Sequence, residues 1–280
     1  MVGMRVIFGL LTFVTVGMII GALFQLAFIR KFEESSGIPR WTNDKDAHIL
    51  RLGIVKPEII SWSPRIIVLH EFLSNEECDY LRAVAKPRLQ ISTVVDAKTG
   101  KALIYRSSFS YLNSKSIVGI KSNVRTSSGM FLSSTERKFP IVQAIEERIA
   151  LYSQVPKENG ELIQVLKYEA SQFYKPHHDY FADTYNLNRG GQRIATVLMY
   201  LSDAVEGGET YFPLAGSGEC SCGGKVVNGI SVKPVKGDAV LFWSMGLDGQ
   251  SDPKSVHGGC EVLAGEKWSA TKWMRQRSTF

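Results

Sequence analysis

Three consecutive side chains that can bind metal ions, His177, His178 and Asp179, lie within the octet YKPHHDYF. If the octet is extended, its side chains alternate between two faces, so His177 and Asp179 share one face while His178 points away. One imidazole and one carboxylate on the same face supply two of the three groups of the two-histidine, one-carboxylate site of non-haem Fe(II), which leaves other coordination positions open. An isolated pair of this kind is more often an ordinary surface pair, so the octet predicts a metal site only if a third ligand exists.

The third ligand that this sequence offers is His257. His48 lies in a polar N-terminal stretch and His70 in an early strand-like segment, and both are far in sequence from the octet. His257 follows the apolar segment AVLFWSM and a polar loop, and the two glycines after it would let the backbone approach a ligand closely. We therefore predict that His177, Asp179 and His257 bind one metal ion.

Lys267 begins the last strand-like segment, ten residues after His257. A lysine buried near a metal site is costly unless its ammonium meets an anion. An acidic cosubstrate with a second, distant carboxylate would supply that anion. A zinc hydrolase that uses the same two histidines and one aspartate is the alternative, because three protein ligands also suit catalytic zinc. That alternative leaves Lys267 unexplained, and the sequence shows no candidate general base at an informative spacing from the metal ligands.

The elements that would position these residues change in character along the chain. Ser74 to Glu77 has the form of a capping box and predicts the start of a helix, and Pro140 opens a second predicted helix. Residues 125–134 between them are small and polar, which predicts a loop. From about residue 162 onward, β-branched and aromatic segments alternate with Gly, Pro and Asp: LIQVLKY, RIATVLMYL, GGETYF, GISVKPV, AVLFWSM and KWSATKWM. Many short strands with such turns predict a sandwich, a barrel or a jelly roll.

The N-terminal segment Val6–Ile29 carries no charge and is flanked by Arg5 before it and by Arg30 and Lys31 after it. As a helix it can span a bilayer core of about 30 Å. We interpret it as an uncleaved signal anchor, because it exceeds the usual apolar region of a signal peptide, roughly 7–15 residues, and no small-x-small cleavage site follows. The flanking charges balance, so they do not set the orientation. The predicted organisation has three parts: an anchor (1–31), a stem (32–63) and a globular domain (64–280).

The net charge is +6, and the basic residues are spread along the chain without a dense Lys/Arg block, so the composition does not indicate a nucleic-acid partner. It does not indicate an oligomeric state either. Four cysteines allow three complete disulfide pairings if the domain faces an oxidising compartment. The sequence leaves open the pairing of these residues: Cys78, Cys220, Cys222 and Cys260.

With these motifs in this order, the sequence resembles the prolyl 4-hydroxylases, a family of Fe(II)/2-oxoglutarate dioxygenases, and most closely their membrane-anchored plant and algal members. The resemblance rests on the His-x-Asp…His…Lys pattern of His177, Asp179, His257 and Lys267. It extends over roughly residues 61–278 through these segments: SWSPRIIVLHEFLS, YKPHHDYF, GGQRIATVLMYLSD, GGETYFP, KGDAVLFW, HGGC and KWSATKWM.

The resemblance implies an α+β fold with a double-stranded β-helix (jelly-roll) core, supporting N-terminal helices and a single transmembrane helix before them. It also implies residue roles. His177, Asp179 and His257 would be the iron ligands, and Lys267 would pair with the distal carboxylate of 2-oxoglutarate.

Five further residues match positions that line the site in this family. Tyr168 and Thr210 would support the distal carboxylate, and a phenol can donate to a carboxylate inside an apolar pocket. Arg193, Glu161 and Trp273 are similar to positions of the peptide groove. For Thr210 and Trp273, a simple packing role is the alternative.

The activity that the resemblance implies is 4-hydroxylation of peptidyl proline, coupled to oxidative decarboxylation of 2-oxoglutarate to succinate and CO2, with Fe(II), O2 and ascorbate. The substrates would be proline-rich secretory or cell-wall chains, which arrive as stiff polyproline II strands. The protein would be a single-pass type II protein of the endoplasmic reticulum or Golgi membrane with a lumenal catalytic domain. Two alternatives are a hydroxylase of another peptidyl residue, such as lysine, and a catalytically silent jelly-roll binding module.

Overall fold

The computed structural model describes residues 15–23, 25, 45–92, 94–95, 102–103, 124–203 and 205–278. The chain divides into two compact units, Met1–His48 and Ile49–Phe280. Most of the predicted anchor, Val6–Ile29, falls outside the described residues, and the part described as 15–23 is helical. None of the helices in the described ranges is long and apolar enough to span a membrane.

The strands of the larger unit have these bounds, in chain order: β1 (Lys56–Trp62), β2 (Arg65–His70), β3 (Gln90–Ile91), β4 (Val94–Val95), β5 (Ala102–Leu103), β6 (Ser128–Phe131), β7 (Gln164–Tyr168), β8 (Tyr174–His177), β9 (Arg193–Tyr200), β10 (Glu206–Gly207), β11 (Thr210–Phe212), β12 (Glu219–Cys222), β13 (Lys225–Asn228), β14 (Ile230–Val232), β15 (Ala239–Trp243), β16 (His257–Gly259), β17 (Val262–Ala264) and β18 (Lys267–Arg275).

Two sheets contain most of these strands. The main sheet has the order β1-β2-β15-β9-β18-β7-β6-β3, and each neighbouring pair is antiparallel. The smaller sheet has the order β14-β11-β16-β8. Separate pairs are formed by β10 with β17, by β12 with β13 and by β4 with β5. The stretch predicted as a stem therefore supplies β1, one of the two edge strands of the main sheet.

Besides the helical residues 15–23, the helices of the described residues are α1 (Lys45–Ile49), α2 (Asn75–Ala85), α3 (Pro140–Ser153) and α4 (Thr184–Asn188), and 3₁₀ turns cover Lys86–Arg88, Glu136–Lys138, Lys157–Asn159 and Pro253–Ser255. The predicted capping box is present before α2. The Ser74 hydroxyl accepts from the Glu77 N–H, and the Glu77 carboxylate accepts from the Ser74 N–H. α3 begins at Pro140, as predicted.

Three layers position the site. Helices α2 and α3 pack on one face of the main sheet through an apolar cluster that includes Leu81, Ile145 and Val197. The other face packs on the smaller sheet through a cluster that includes Tyr200 and Phe212. Val197 and Tyr200 both belong to β9, and alternation along this strand sends them to opposite faces. The result is a jelly-roll-like sandwich with helices on its outer side, as the strand pattern predicted.

The predicted loop at residues 125–134 is partly wrong, because Ser128–Phe131 forms β6 and pairs with β7. Its small residues serve close packing. A Cβ at Gly129 would lie 2.6 Å from Leu166 Cδ2 and 3.1 Å from the carbonyl oxygen of Val165. The small residues that predicted a loop therefore allow β6 to lie close to β7.

Candidate active site

The two histidines of the predicted triad lie opposite each other on neighbouring strands. His177 ends β8 and His257 begins β16, and the two residues are direct partners in this antiparallel pair. Asp179, two residues beyond β8, places one carboxylate oxygen 3.7 Å from His177 Nε2 and the other 3.6 Å from His257 Nε2. One ligand atom from each of the three side chains therefore lies within 4.8 Å of the other two.

Backbone carbonyls fix the orientation of both imidazoles. His177 Nδ1 lies 2.9 Å from the carbonyl oxygen of Lys175, and His257 Nδ1 lies 3.1 Å from that of Ser255. A carbonyl can only accept, so each Nδ1 carries the proton and donates it. This tautomer leaves Nε2 of each ring, which faces Asp179, as the nitrogen that can bind a metal ion.

The Asp179 carboxylate is buried, and a buried hydroxyl holds it in place. Its Oδ2 accepts a hydrogen bond of 2.7 Å from Thr196 Oγ1. Burial by itself raises the pKa of Asp179, but the neighbouring His257 and His177 outweigh it and hold this pKa below its usual range. Burial lowers the pKa of His177 to about 3. The carboxylate is therefore ionised and His177 neutral, which are the forms that bind a metal ion.

His178 points away from this centre, as strand alternation predicted. Its Nε2 lies 3.0 Å from the carbonyl oxygen of Pro253 and donates to it. His178 therefore contacts the segment before His257 and contributes no ligand atom to the triad.

The donor set fits Fe(II). Two imidazole nitrogens and one carboxylate oxygen that share a common point match the facial arrangement of non-haem iron sites, with open positions for other ligands. Within the part of the chain that the structure describes, these three residues are the group of His, Cys, Asp and Glu side chains that could hold a metal ion.

Lys267 lies buried beside this centre. Its Nζ is 5.5 Å from the Tyr168 ring and 5.7 Å from the Tyr200 ring, and it lies 4.0 Å from where a Cβ of Gly259 would stand. Among the described residues no carboxylate lies within 4.0 Å of this ammonium. Burial lowers the pKa of Lys267 to about 8, which the more distant Glu209 partly opposes. A buried ammonium without a counter-ion is an anion-binding group.

Tyr168 and Thr210, the residues predicted to accompany Lys267, also lie near it. Tyr168 is the direct cross-strand partner of Lys267, so the two side chains point to the same face. Thr210 is fully buried, and its Oγ1 accepts from the Tyr200 hydroxyl at 2.7 Å. The structure therefore brings together all three residues of the predicted carboxylate pocket.

The three residues predicted for the peptide groove form one cluster. Arg193 pairs with Glu161 through two contacts of 2.7 and 2.8 Å. The Arg193 guanidinium carbon lies 4.0 Å from the centre of the Trp273 ring. Burial alone would lower the pKa of Arg193, but Glu161 and Asp179 raise it above its usual value. This cluster therefore lies within electrostatic reach of the metal ligands.

Sequence reasoning missed Thr196 and Tyr200, which contact Asp179 and Thr210. Both lie on β9, where every second residue faces the smaller sheet. Alternation along RIATVLMY was therefore a usable signal for both. Tyr174 stacks on His177 with ring centroids 3.7 Å apart, and burial raises the pKa of its phenol to about 12.

A disulfide ties a hairpin to the strand that carries His257. Cys260, which directly follows β16, is bonded to Cys222 at the end of β12, while Cys78 and Cys220 are free. The buried Glu209 supports the same hairpin, since its carboxylate accepts from the Gly223 N–H at 2.9 Å. The pairing that the sequence left open thus fixes the backbone next to a metal ligand.

Comparisons with known proteins agree with this site. A sequence model of the 2OG-Fe(II) oxygenase superfamily matches residues 163–275, the range that contains the triad and Lys267. Prolyl 4-hydroxylase 1 of Arabidopsis thaliana is 67% identical, over 99% of this chain and 98% of its own length. Probable prolyl 4-hydroxylase 3 of the same plant is 51% identical, over 78% of this chain and 71% of its own length.

A solved structure shares the fold. The crystal structure of the viral collagen prolyl hydroxylase of Paramecium Bursaria Chlorella virus-1, a 2OG complex, aligns with a TM-score of 0.51 at 24% identity. The alignment covers 75% of this chain and 95% of the viral chain.

Proposed function

Because this chain belongs to the prolyl 4-hydroxylase family of 2OG-Fe(II) oxygenases, we propose that it hydroxylates C4 of proline residues in peptides. The reaction is coupled to oxidative decarboxylation of 2-oxoglutarate to succinate and CO2, and it uses O2 and Fe(II).

One observation carries this proposal: a complete iron triad lies close to a buried ammonium that has no counter-ion among the described residues. His177, Asp179 and His257 converge within 4.8 Å. Lys267 is 3% exposed and is adjacent to Gly259, two residues beyond His257. A dicarboxylate that reaches both the metal and Lys267 satisfies the chemistry of both groups, whereas a zinc hydrolase would leave Lys267 without a role.

The protein contributes positions and charges to this reaction. Fe(II), when bound by the triad, supplies the redox chemistry that links O2 and 2-oxoglutarate to cleavage of a C–H bond. Lys267 binds the distal carboxylate of 2-oxoglutarate, and Tyr168 and Thr210 shape the pocket around it. Burial strengthens the attraction between that carboxylate and the Lys267 ammonium, because the surroundings screen it less than water does.

The peptide reaches the metal along the Arg193, Glu161 and Trp273 cluster. The Glu161 carboxylate holds the Arg193 guanidinium, and Trp273 offers an aromatic wall. Aromatic walls suit proline-rich chains, which enter as preformed polyproline II helices at a small entropic cost.

Four finer features belong to the same proposal. The core is a double-stranded β-helix, and ascorbate reduces iron that has been oxidised in uncoupled turnovers. The N-terminal segment Val6–Ile29 anchors the protein in the endoplasmic reticulum or Golgi membrane with its domain in the lumen. The substrates are proline-rich secretory or cell-wall proteins. The Cys222–Cys260 disulfide supports an oxidising compartment.

A peptide assay with the full-length protein tests the proposal. We expect hydroxyproline and an equal amount of succinate when a proline-rich peptide, Fe(II), ascorbate and 2-oxoglutarate are supplied. His177→Ala should abolish both products because it removes a ligand, and the neighbouring His178→Ala is the matched control and should have a mild effect. Product from a lysine peptide alone would contradict the prolyl assignment. The absence of any 2-oxoglutarate turnover would favour a silent binding module.

A further inference from the structure

Phe131 is an aromatic residue on the face of the main sheet that carries the site. It ends β6 and is the direct partner of Gln164 on β7, which in turn pairs with Thr271 on β18. Cross-strand partners point to the same face, and so does Trp273, two residues beyond Thr271. Phe131 and Trp273 therefore share a face.

That face is the one on which the iron ligands lie. Trp273 is the direct partner of Thr196 on β9, and the Thr196 hydroxyl donates to Asp179. A row of side chains thus leads outward from Asp179 through Thr196 and Trp273 to Phe131.

The Phe131 ring is open to a ligand, whereas its neighbour is enclosed. Phe131 is 50% exposed and Trp273 is 9% exposed. Their ring centroids are 6.5 Å apart with an interplanar angle of 39°. A polyproline II chain rises about 3.1 Å per residue, so two residues advance it by about 6.2 Å. The spacing of the two rings therefore matches the distance between two prolines of one such chain that are two positions apart.

We propose that Phe131 is a specificity-determining residue, which packs on a proline of the substrate outside the reactive position and makes the enzyme favour chains with several prolines. This inference rests on the proposed function. A single exposed aromatic residue needs no explanation by itself, but Phe131 touches Trp273 at the outer end of the row that leads to the metal site.

Two peptides of equal length test this inference: a proline run, and a peptide with one proline among alanine and serine residues. For Phe131→Ala in the full-length protein, we expect the KM of the proline run to rise about 3- to 10-fold, the range for losing one aromatic contact. The KM of the single-proline peptide should rise by a much smaller factor. Phe131→Tyr keeps a ring and should restore the wild-type preference.

Phe139→Ala is the matched control, since Phe139 is 43% exposed but lies at the start of α3. It should leave the KM of both peptides unchanged. Equal rises for both peptides with Phe131→Ala would indicate a general structural effect and overturn the inference, as would no change for the proline run.

The failures of the two proposals are distinguishable. If the wild-type protein hydroxylates neither peptide, the proposed function is wrong and the inference falls with it. If it hydroxylates both, and Phe131→Ala keeps the wild-type ratio of their KM values, the role of Phe131 alone is wrong.

Discussion

At the scale of single residues, the hydroxyl of Thr196 determines how the Asp179 carboxylate is presented to the metal. The Thr196 hydroxyl donates a buried hydrogen bond of 2.7 Å to Asp179 Oδ2. Thr196→Val keeps the shape but removes the donor, so we expect Fe(II) binding to weaken by about 10- to 100-fold, the usual cost of losing a partner of a metal ligand. An anaerobic Fe(II) titration measures this. Thr196→Ser keeps the hydroxyl and should bind nearly as wild type, and an equally weak serine variant would show that the methyl group matters instead.

Lys267 makes the binding of 2-oxoglutarate depend on pH. Burial lowers its pKa to about 8, so the ammonium is mostly charged at pH 7 and mostly neutral at pH 9. We expect the Kd of 2-oxoglutarate to rise about tenfold over this range, because the dianion loses its partner as the proton leaves. Calorimetric titration at several pH values measures the change.

Lys267→Arg is the control for this pH dependence, since a guanidinium stays charged over the same range. Its binding should be weaker at neutral pH but flat between pH 7 and pH 9. A flat profile for the wild-type protein would mean that another group holds the carboxylate.

At the scale of elements, the hairpin of β12 and β13 is held to β16 by the Cys222–Cys260 disulfide. The two cysteines are 38 residues apart in sequence. Closing a loop of this length lowers the free energy of the folded state relative to the unfolded state by about 4 kcal/mol in the chain-entropy estimate. We expect replacement of both cysteines by serine to reduce the free energy of unfolding by up to this amount in denaturant titrations. Cys220→Ser removes a free thiol from the same strand and should change stability little, and comparable losses in both variants would argue against the disulfide.

Elements and contacts that depend on neighbours in sequence could be predicted, whereas those that depend on the pairing of distant strands could not. Alternation along YKPHHDYF correctly separated His178 from His177 and Asp179, and local capping signals located α2 and α3, because both depend on neighbours in sequence. Spacing alone could not predict that His177 and His257 are direct partners, since register depends on how distant strands pair. Alternation along β9 shows which face Thr196 is on, but the contact of its hydroxyl with Asp179 depends on tertiary packing that the spacing does not give.

At the scale of the whole molecule, the chain divides into the units Met1–His48 and Ile49–Phe280, and the described site residues all belong to the second unit. We expect the full-length protein to stay with membranes through alkaline carbonate extraction, because Val6–Ile29 is uncharged and long enough to span the bilayer. A chain that lacks residues 1–31 should appear in the soluble fraction and still turn over 2-oxoglutarate. Release of the full-length protein by carbonate would overturn the anchor prediction.

The direct pairing of His177 with His257 has a consequence for how the chain can vary in length. Residues added or removed in the loops between β8 and β16 leave the pairing intact. The pair itself contains a register irregularity between His257 and Gly259, where three positions of β8 advance against two of β16. Gly258 allows the two strands to lie close together here, because a Cβ at this position would lie only 2.9 Å from the carbonyl oxygen of Tyr174. The catalytic centre therefore tolerates changes in the distance between its ligands along the chain, provided that His177 and His257 stay opposite each other.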